Sequence, residues 1–227
     1  MIITTRHKIG VPLVIMLAAM AVFSLRWGFA SLDLWRATEL IAQLQVAEYS
    51  VDSKIPLLER GLRHLDHAQQ LGGDNPDIFD KRGQFYYWQA MNLADAGEER
   101  GVLLEQAAEQ YREALKMRPL WPYFWANLAV AKAEWGIFDP EFRKAIKRTV
   151  ETGPWEPRVQ MMLIRVDFIE QQRLDRRSRE RINEMLERAM QIQPRNVLAL
   201  ASDLGQLPRV CGMIEQEKRN WQCAGIQ

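Results

Sequence analysis

The stretch from Leu104 to Gly136, LEQAAEQYREALKMRPLWPYFWANLAVAKAEWG, constrains the fold more than any other part of the chain. Leu104, Ala107, Ala108, Tyr111, Ala114 and Leu115 recur at steps of three and four, which places them on one face of a 3.6-residue helix. Pro119 and Pro122 end that helix, because proline lacks a backbone donor and restricts the residue before it. Trp125, Leu128, Ala129 and Lys132 mark one face of a second helix, and Gly136 suits its C-cap. Two amphipathic helices joined by a proline turn form a hairpin that cannot bury its apolar face alone and needs neighbours.

Other segments repeat the pattern. Gly61, Leu65 and Ala68 repeat the small–large–small spacing of Ala107, Tyr111 and Ala114, and so do Ile182, Leu186 and Ala189 before Pro194. Pro56 is expected to open a helix capped by Ser53. Gly72, Gly73 and Asn75-Pro76 signal a turn. Phe79, Gly83 and Tyr86 begin a further helix that the pattern extends through Trp88 and Leu93 to Gly97. Phe142, Ala145 and Ile146 lie on a helix that stops at Gly153-Pro154, and Pro157 opens the next, with Val159, Met162, Leu163, Val166 and Ile169 as its apolar face. Val197, Leu198, Ala201 and Leu204 suit a terminal capping helix. Most of the 10 prolines fall at such boundaries and no alternating strand pattern occurs, so the expected class is all-α.

These residues resemble the tetratricopeptide (TPR) repeat. Ala107, Tyr111, Ala114 and Pro119 match the second-helix positions of one unit, and Trp125, Leu128, Ala129 and Gly136 match the first-helix positions of the next. Arg82 departs from the pattern, standing where a leucine is usual. The resemblance implies an α-solenoid of roughly three to four stacked hairpins over residues 53–210.

Ahead of this domain, Arg6, His7 and Lys8 precede an uncharged apolar run from Ile9 to Leu25. At the helical rise the run spans about 25 Å, near the lower limit for crossing a bilayer. Trp27, Phe29 and Trp35 suit an interfacial belt, and Arg26 can snorkel. An uncleaved signal anchor over residues 1–30 is the expected reading, with a cleaved signal peptide as its rival. Leu34, Ala37, Leu40, Ile41 and Leu44 form a helical stripe in a juxtamembrane segment, 31–52. Lys and Arg are level on the two sides of the span. His7 and the amino terminus tip the orientation toward an inside N-terminus, which puts the soluble part outside the cytoplasm. The tail, 211–227, carries Cys211 and Cys223, which either close a small loop in an oxidising compartment or stand as free thiols.

The sequence holds no phosphate loop, nucleophile elbow or metal-ligand cysteine set, so no catalytic, cofactor-binding or metal residue is expected. His64 and His67 lack a third ligand and read as a solvated helix flank. A net charge of +1 gives no electrostatic footprint for nucleic acid. Two features could bind a partner or a glycan. Trp121 and Trp155 stand beside prolines at turns and are the candidates for exposure, whereas Trp125 occupies a packing position; filling the space between hairpins is the plainer reading of the tryptophans as a set. Arg143, Lys144, Lys147 and Arg148 gather on one helix, with a solvated face as the plainer explanation.

From the anchor through Pro194 the chain also resembles the VpsP-type proteins of bacterial exopolysaccharide biosynthesis. The segments ALKMRPLWPYFWANLAVAKA, RTVETGPWEPRVQ and AMQIQPRN carry that likeness. It implies a single-pass, inner-membrane, non-catalytic scaffold whose periplasmic groove meets proteins of a polysaccharide synthesis or export complex. Direct polysaccharide binding is the alternative it leaves open.

Overall fold

The computed structural model describes residues 3–44, 51–93 and 97–213. Among these there are ten helices and no strand, so the chain is all-α as expected. In chain order they are α1 (Ile3–Leu44), α2 (Val51–Gly72), α3 (Pro76–Met91), α4 (Glu98–Met117), α5 (Pro122–Trp135), α6 (Pro140–Thr152), α7 (Pro157–Glu170), α8 (Arg176–Ile192), α9 (Pro194–Asp203) and α10 (Leu207–Met213).

Proline sets most of the starts. Pro76, Pro122, Pro140, Pro157 and Pro194 each occupy the first turn of a helix, where the missing N–H has no intrahelical partner to lose. Asn75, Asp139 and Asp175 cap α3, α6 and α8 by accepting from backbone N–H groups. Gly136 ends α5 at φ 79°, the left-handed conformation that favours glycine. Two boundaries differ from the sequence pattern. Pro56 lies inside α2, which already begins at Val51, and α3 stops at Met91 instead of running on to Gly97. Asn92 ends α3, its side-chain amide donating to the Trp88 carbonyl, and Gly97 becomes the N-cap of α4.

The chain divides into two compact units, Met1–Asn92 and Leu93–Gln227. In the first unit α1, α2 and α3 all pack on one another, so α2 and α3 share a core with the second half of α1. Ala37, Leu40, Ile41 and Leu44 of α1 meet Leu58, Leu65 and Ala68 of α2 and Ile78 and Phe85 of α3. Gly61 matters here: a Cβ at that position would overlap the ring of Phe85, so the bare backbone of α2 is what lets α3 come close. The sequence pattern treats 31–52 as a separate segment and groups 53–92 with the later repeats; the second half of α1 packs with α2 and α3 in one core. Arg82, the departure from the repeat pattern, is tied to α2 by bonds to Asp66 and Gln69, both at 2.8 Å.

The same α1 is bare from residue 11 to residue 29, where every residue is exposed. Its most apolar 18 residues have a mean hydropathy of 1.9 and are 6% buried, so this part of the helix has no protein core around it. It is long and apolar enough to cross a membrane.

In the second unit α5 packs on α4, α6 and α7, α6 on α8, and α7 on α8 and α9, with α10 closing on α9. The residues of the repeat pattern lie where packing needs them. Ala107, Tyr111, Ala114, Trp125, Leu128 and Ala129 are buried, while Pro119 stands exposed at the turn and its carbonyl accepts from Trp125 Nε1 at 2.8 Å. A terminal cluster gathers Ile164, Phe168, Leu186, Ala189, Val197, Leu198 and Val210. Cys211 packs against it from α10, and Cys223 lies outside the described residues.

Candidate functional site

The turns α4–α5 and α6–α7 meet at one end of the second unit. Tyr123 Oη donates to Glu156 Oε2 at 3.1 Å, and a Cβ on Gly153 would come within 2.5 Å of Pro122 Cβ. Burial and the Glu156 bond both raise the Tyr123 pKa, so its phenol keeps the proton for this contact. The turn α8–α9 is tied to α7 as well, through Gln193 Nε2 on the Pro157 carbonyl at 2.8 Å and on Gln160 Oε1 at 3.0 Å.

This edge carries the two expected aromatic contacts. Trp121 is 45% exposed and Trp155 58%, against 7% for Trp125. The Trp121 ring sits 5.9 Å from that of Tyr123, and the Arg188 guanidinium lies 5.7 Å from the Trp155 ring. Leu120 and Ile192 add exposed apolar surface on the neighbouring turns. Flat indole faces held on turns, one of them with a guanidinium beside it, are suited to stacking on a sugar ring or to anchoring a partner side chain.

The four cations of α6 are engaged by near neighbours. Arg143 donates to the Phe138 carbonyl at 2.9 Å, Lys144 Nζ sits 5.6 Å over the Trp125 ring, and Lys147 and Arg148 reach Glu151 at 3.6 and 3.3 Å. Their charge is exposed but locally answered, which fits a solvated face.

A second concavity, of about 640 Å³, opens between α4 and the end of α5. Its lining includes Val102, Glu105, Glu109, Glu134 and Trp135, with Trp135 packed over Gly101, where a Cβ would meet the indole Nε1 at 2.7 Å. Arg100 lines it too and pairs with Glu134 at 3.1 Å, and Glu105 pairs with Arg112 at 2.7 Å, so apolar groups and paired charges share its walls.

No protein-family model matches the chain, and no curated protein matches it. The site is therefore read from its own chemistry.

Three charged centres escape a reading by motif. In the first unit the buried carboxylate of Asp33 on α1 accepts from His64 Nδ1 at 2.7 Å through one oxygen and from His67 Nδ1 through the other. Arg36 adds a contact at 3.5 Å. The histidines are thus not a free flank of α2: they clamp α2 to α1. The signal was present in the sequence, since Asp33 stands on the same stripe as Ala30, Ala37 and Ile41, where a charge needs a partner. Among the described residues no group of three or more acidic, histidine or cysteine side chains could hold a metal ion.

In the second unit Lys132, 3% exposed, donates to Asp139 at 2.9 Å and to Glu141 at 2.7 Å. Glu141 also receives a two-pronged bond from Arg112, both arms at 2.8 Å, and Arg112 reaches on to Glu105 at 2.7 Å. The Arg112 bonds hold the Glu141 carboxyl at about 2 against the opposing effect of burial, with Lys132 adding to them. Burial raises the Asp139 pKa, but bonds from the Phe142 N–H and Lys132 outweigh it, so the net shift is downward. Both carboxylate oxygens of Glu141 are occupied, which makes the network a staple across α4, α5 and α6.

A third ion pair joins Asp167, 1% exposed on α7, to Arg209 on α10 at 2.7 Å. Burial raises the Asp167 pKa even though Arg209 opposes it. It pins the last helix in place.

Proposed function

We propose that this chain is a membrane-anchored, non-catalytic scaffold of a bacterial exopolysaccharide synthesis or export complex. In this reading α1 is its single membrane span, α4–α10 form a TPR-like solenoid, and that solenoid lies in the periplasm and docks partner proteins. The observation that carries the reading is the packing of alternate helices, α5 on α7, α7 on α9 and α6 on α8, as expected when hairpins stack in a row. The cleft between α4 and α5, with Trp135 in its floor, is the docking groove we assign to a protein partner. Occupied carboxylates in the Lys132 network speak for structure over catalysis.

Extraction from native membranes in mild detergent, followed by co-purification, tests the scaffold. Specific partner proteins should be recovered with the wild-type chain and lost with Trp135→Ala. Recovery of the chain alone would sink the idea.

A second reading, direct polysaccharide binding, is favoured by the exposure of Trp121 and Trp155 on two turns bonded to each other. Titration of the chain with the secreted polymer should then give binding that the double variant Trp121→Ala, Trp155→Ala abolishes. Unchanged binding in that variant removes the aromatic edge from consideration.

A further inference from the structure

The exposed apolar surface of α1 does not stop where the uncharged run ends at Leu25. Leu25, Phe29, Leu32 and Trp35 follow at steps of four, three and three along one side of the helix and are 60%, 55%, 38% and 62% exposed. Ala30, Asp33, Ala37, Leu40, Ile41 and Leu44 occupy the other side and are buried against α2 and α3. Beyond Leu25 the helix therefore has a protein face and a bare apolar face at the same height.

The end of α2 lies at that height too. Arg26 Nη2 donates to the Gln70 carbonyl at 3.2 Å, so this cation answers the negative end of the α2 dipole. A Cβ on Gly72 would stand 2.8 Å from that of Ala30. The α2–α3 corner thus begins where the apolar run ends.

From Val11 to Trp35 the apolar surface is about 37 Å long at the helical rise, against about 30 Å for a bilayer core. A helix with such an excess tilts, and a surplus confined to one side sets which side turns down. We propose that the bilayer-facing surface of α1 extends to Trp35, so that α1 crosses obliquely and the α2–α3 corner rests on the headgroup layer of the same membrane. Trp27 and Trp35 then both sit in the interfacial zone that indole prefers. Arg36, 48% exposed beside Trp35, faces the phosphates. A second copy of this chain fits the stripe less well. Symmetric parallel pairing along it would bring Arg36 of one copy beside that of the other, at a cost in like-charge repulsion.

This inference rests on the reading of α1 as a membrane span, and the test separates the two. The full chain is reconstituted in phosphatidylethanolamine–phosphatidylglycerol vesicles, some carrying lipids brominated near the headgroup end of the acyl chains, and is recovered by flotation. Tryptophan quenching by bromolipid and by aqueous iodide is compared for the wild type, Trp27→Phe, Trp35→Phe and Trp155→Phe. The expected result is that Trp35→Phe removes a bromolipid-quenched component comparable to that lost in Trp27→Phe, while Trp155→Phe removes none. Floating chain whose Trp35 is quenched by iodide, or by neither agent, overturns the extended surface and leaves the anchor standing. A chain that stays out of the vesicle fraction overturns the anchor and this inference together.

Discussion

Asp33 in the first unit and Lys132 in the second are both buried charges held by several partners, and they have opposite signs. In the first, the acid Asp33 is gripped by His64, His67 and Arg36; in the second, the base Lys132 is gripped by Asp139 and Glu141. Both charges stand on an otherwise apolar helix stripe, and both draw a neighbouring segment onto it. They differ in depth of support. The grip on Lys132 extends through Glu141 to Arg112 and Glu105, linking three helices, whereas the grip on Asp33 joins α1 to α2. Charge support in the second unit therefore spans more helices than in the first, whose core closes around Phe85.

Four measurements break or sharpen that contrast, from the largest effect down. Phe85→Ala empties the core of the first unit and is expected to cost about 3–5 kcal/mol in urea unfolding of the full chain. A loss below that of the charge variants would reverse this order. Lys132→Ala strips two carboxylates of their shared partner. The expected cost is about 2–3 kcal/mol, less than for a fully buried pair because both acids are about a third exposed. Asp33→Asn keeps the shape and removes the charge, and a loss of about 1–2 kcal/mol is expected in thermal unfolding at neutral pH. A cost equal to that of Lys132→Ala would erase the difference in depth.

The smallest effect is in acid. The Glu141 pKa falls from an ordinary 4.5 to about 2 in the fold, so its contribution is fully present above about 4.5 and is lost as the pH falls through about 2. Glu141→Gln should flatten that acid loss in a pH series of unfolding midpoints. Asp167 works with the opposite sign. Its raised pKa means that the fold holds the proton more tightly, so its protonation favours the fold in acid and that contribution is lost as the pH rises through the raised value. Asp167→Asn should therefore steepen the acid loss that Glu141→Gln flattens.

Much of the scaffold is legible in the order of residues. Proline at the first turn and glycine at the αL cap are local effects of φ and of a missing donor, so Pro122, Pro157 and Gly136 can be read singly. The burial of Tyr111, Trp125 and Leu128 follows from spacing. The start of α2 and the end of α3 are less legible, because a proline inside a helix and an asparagine that ends one depend on what surrounds them. Of the candidate site, the exposure of Trp121 and Trp155 can be inferred from their turns, but their meeting on one edge cannot.

By itself the sequence determined helix class, most boundaries, the apolar leader and the faces that must be covered, because these depend on residues within a few positions of one another. Tertiary structure alone decided that the second half of α1 shares a core with α2 and α3, that Asp33 meets His64 and His67, and that one glutamate serves both Lys132 and Arg112. A charge on an apolar stripe demands a partner, but periodicity does not say which distant helix supplies it.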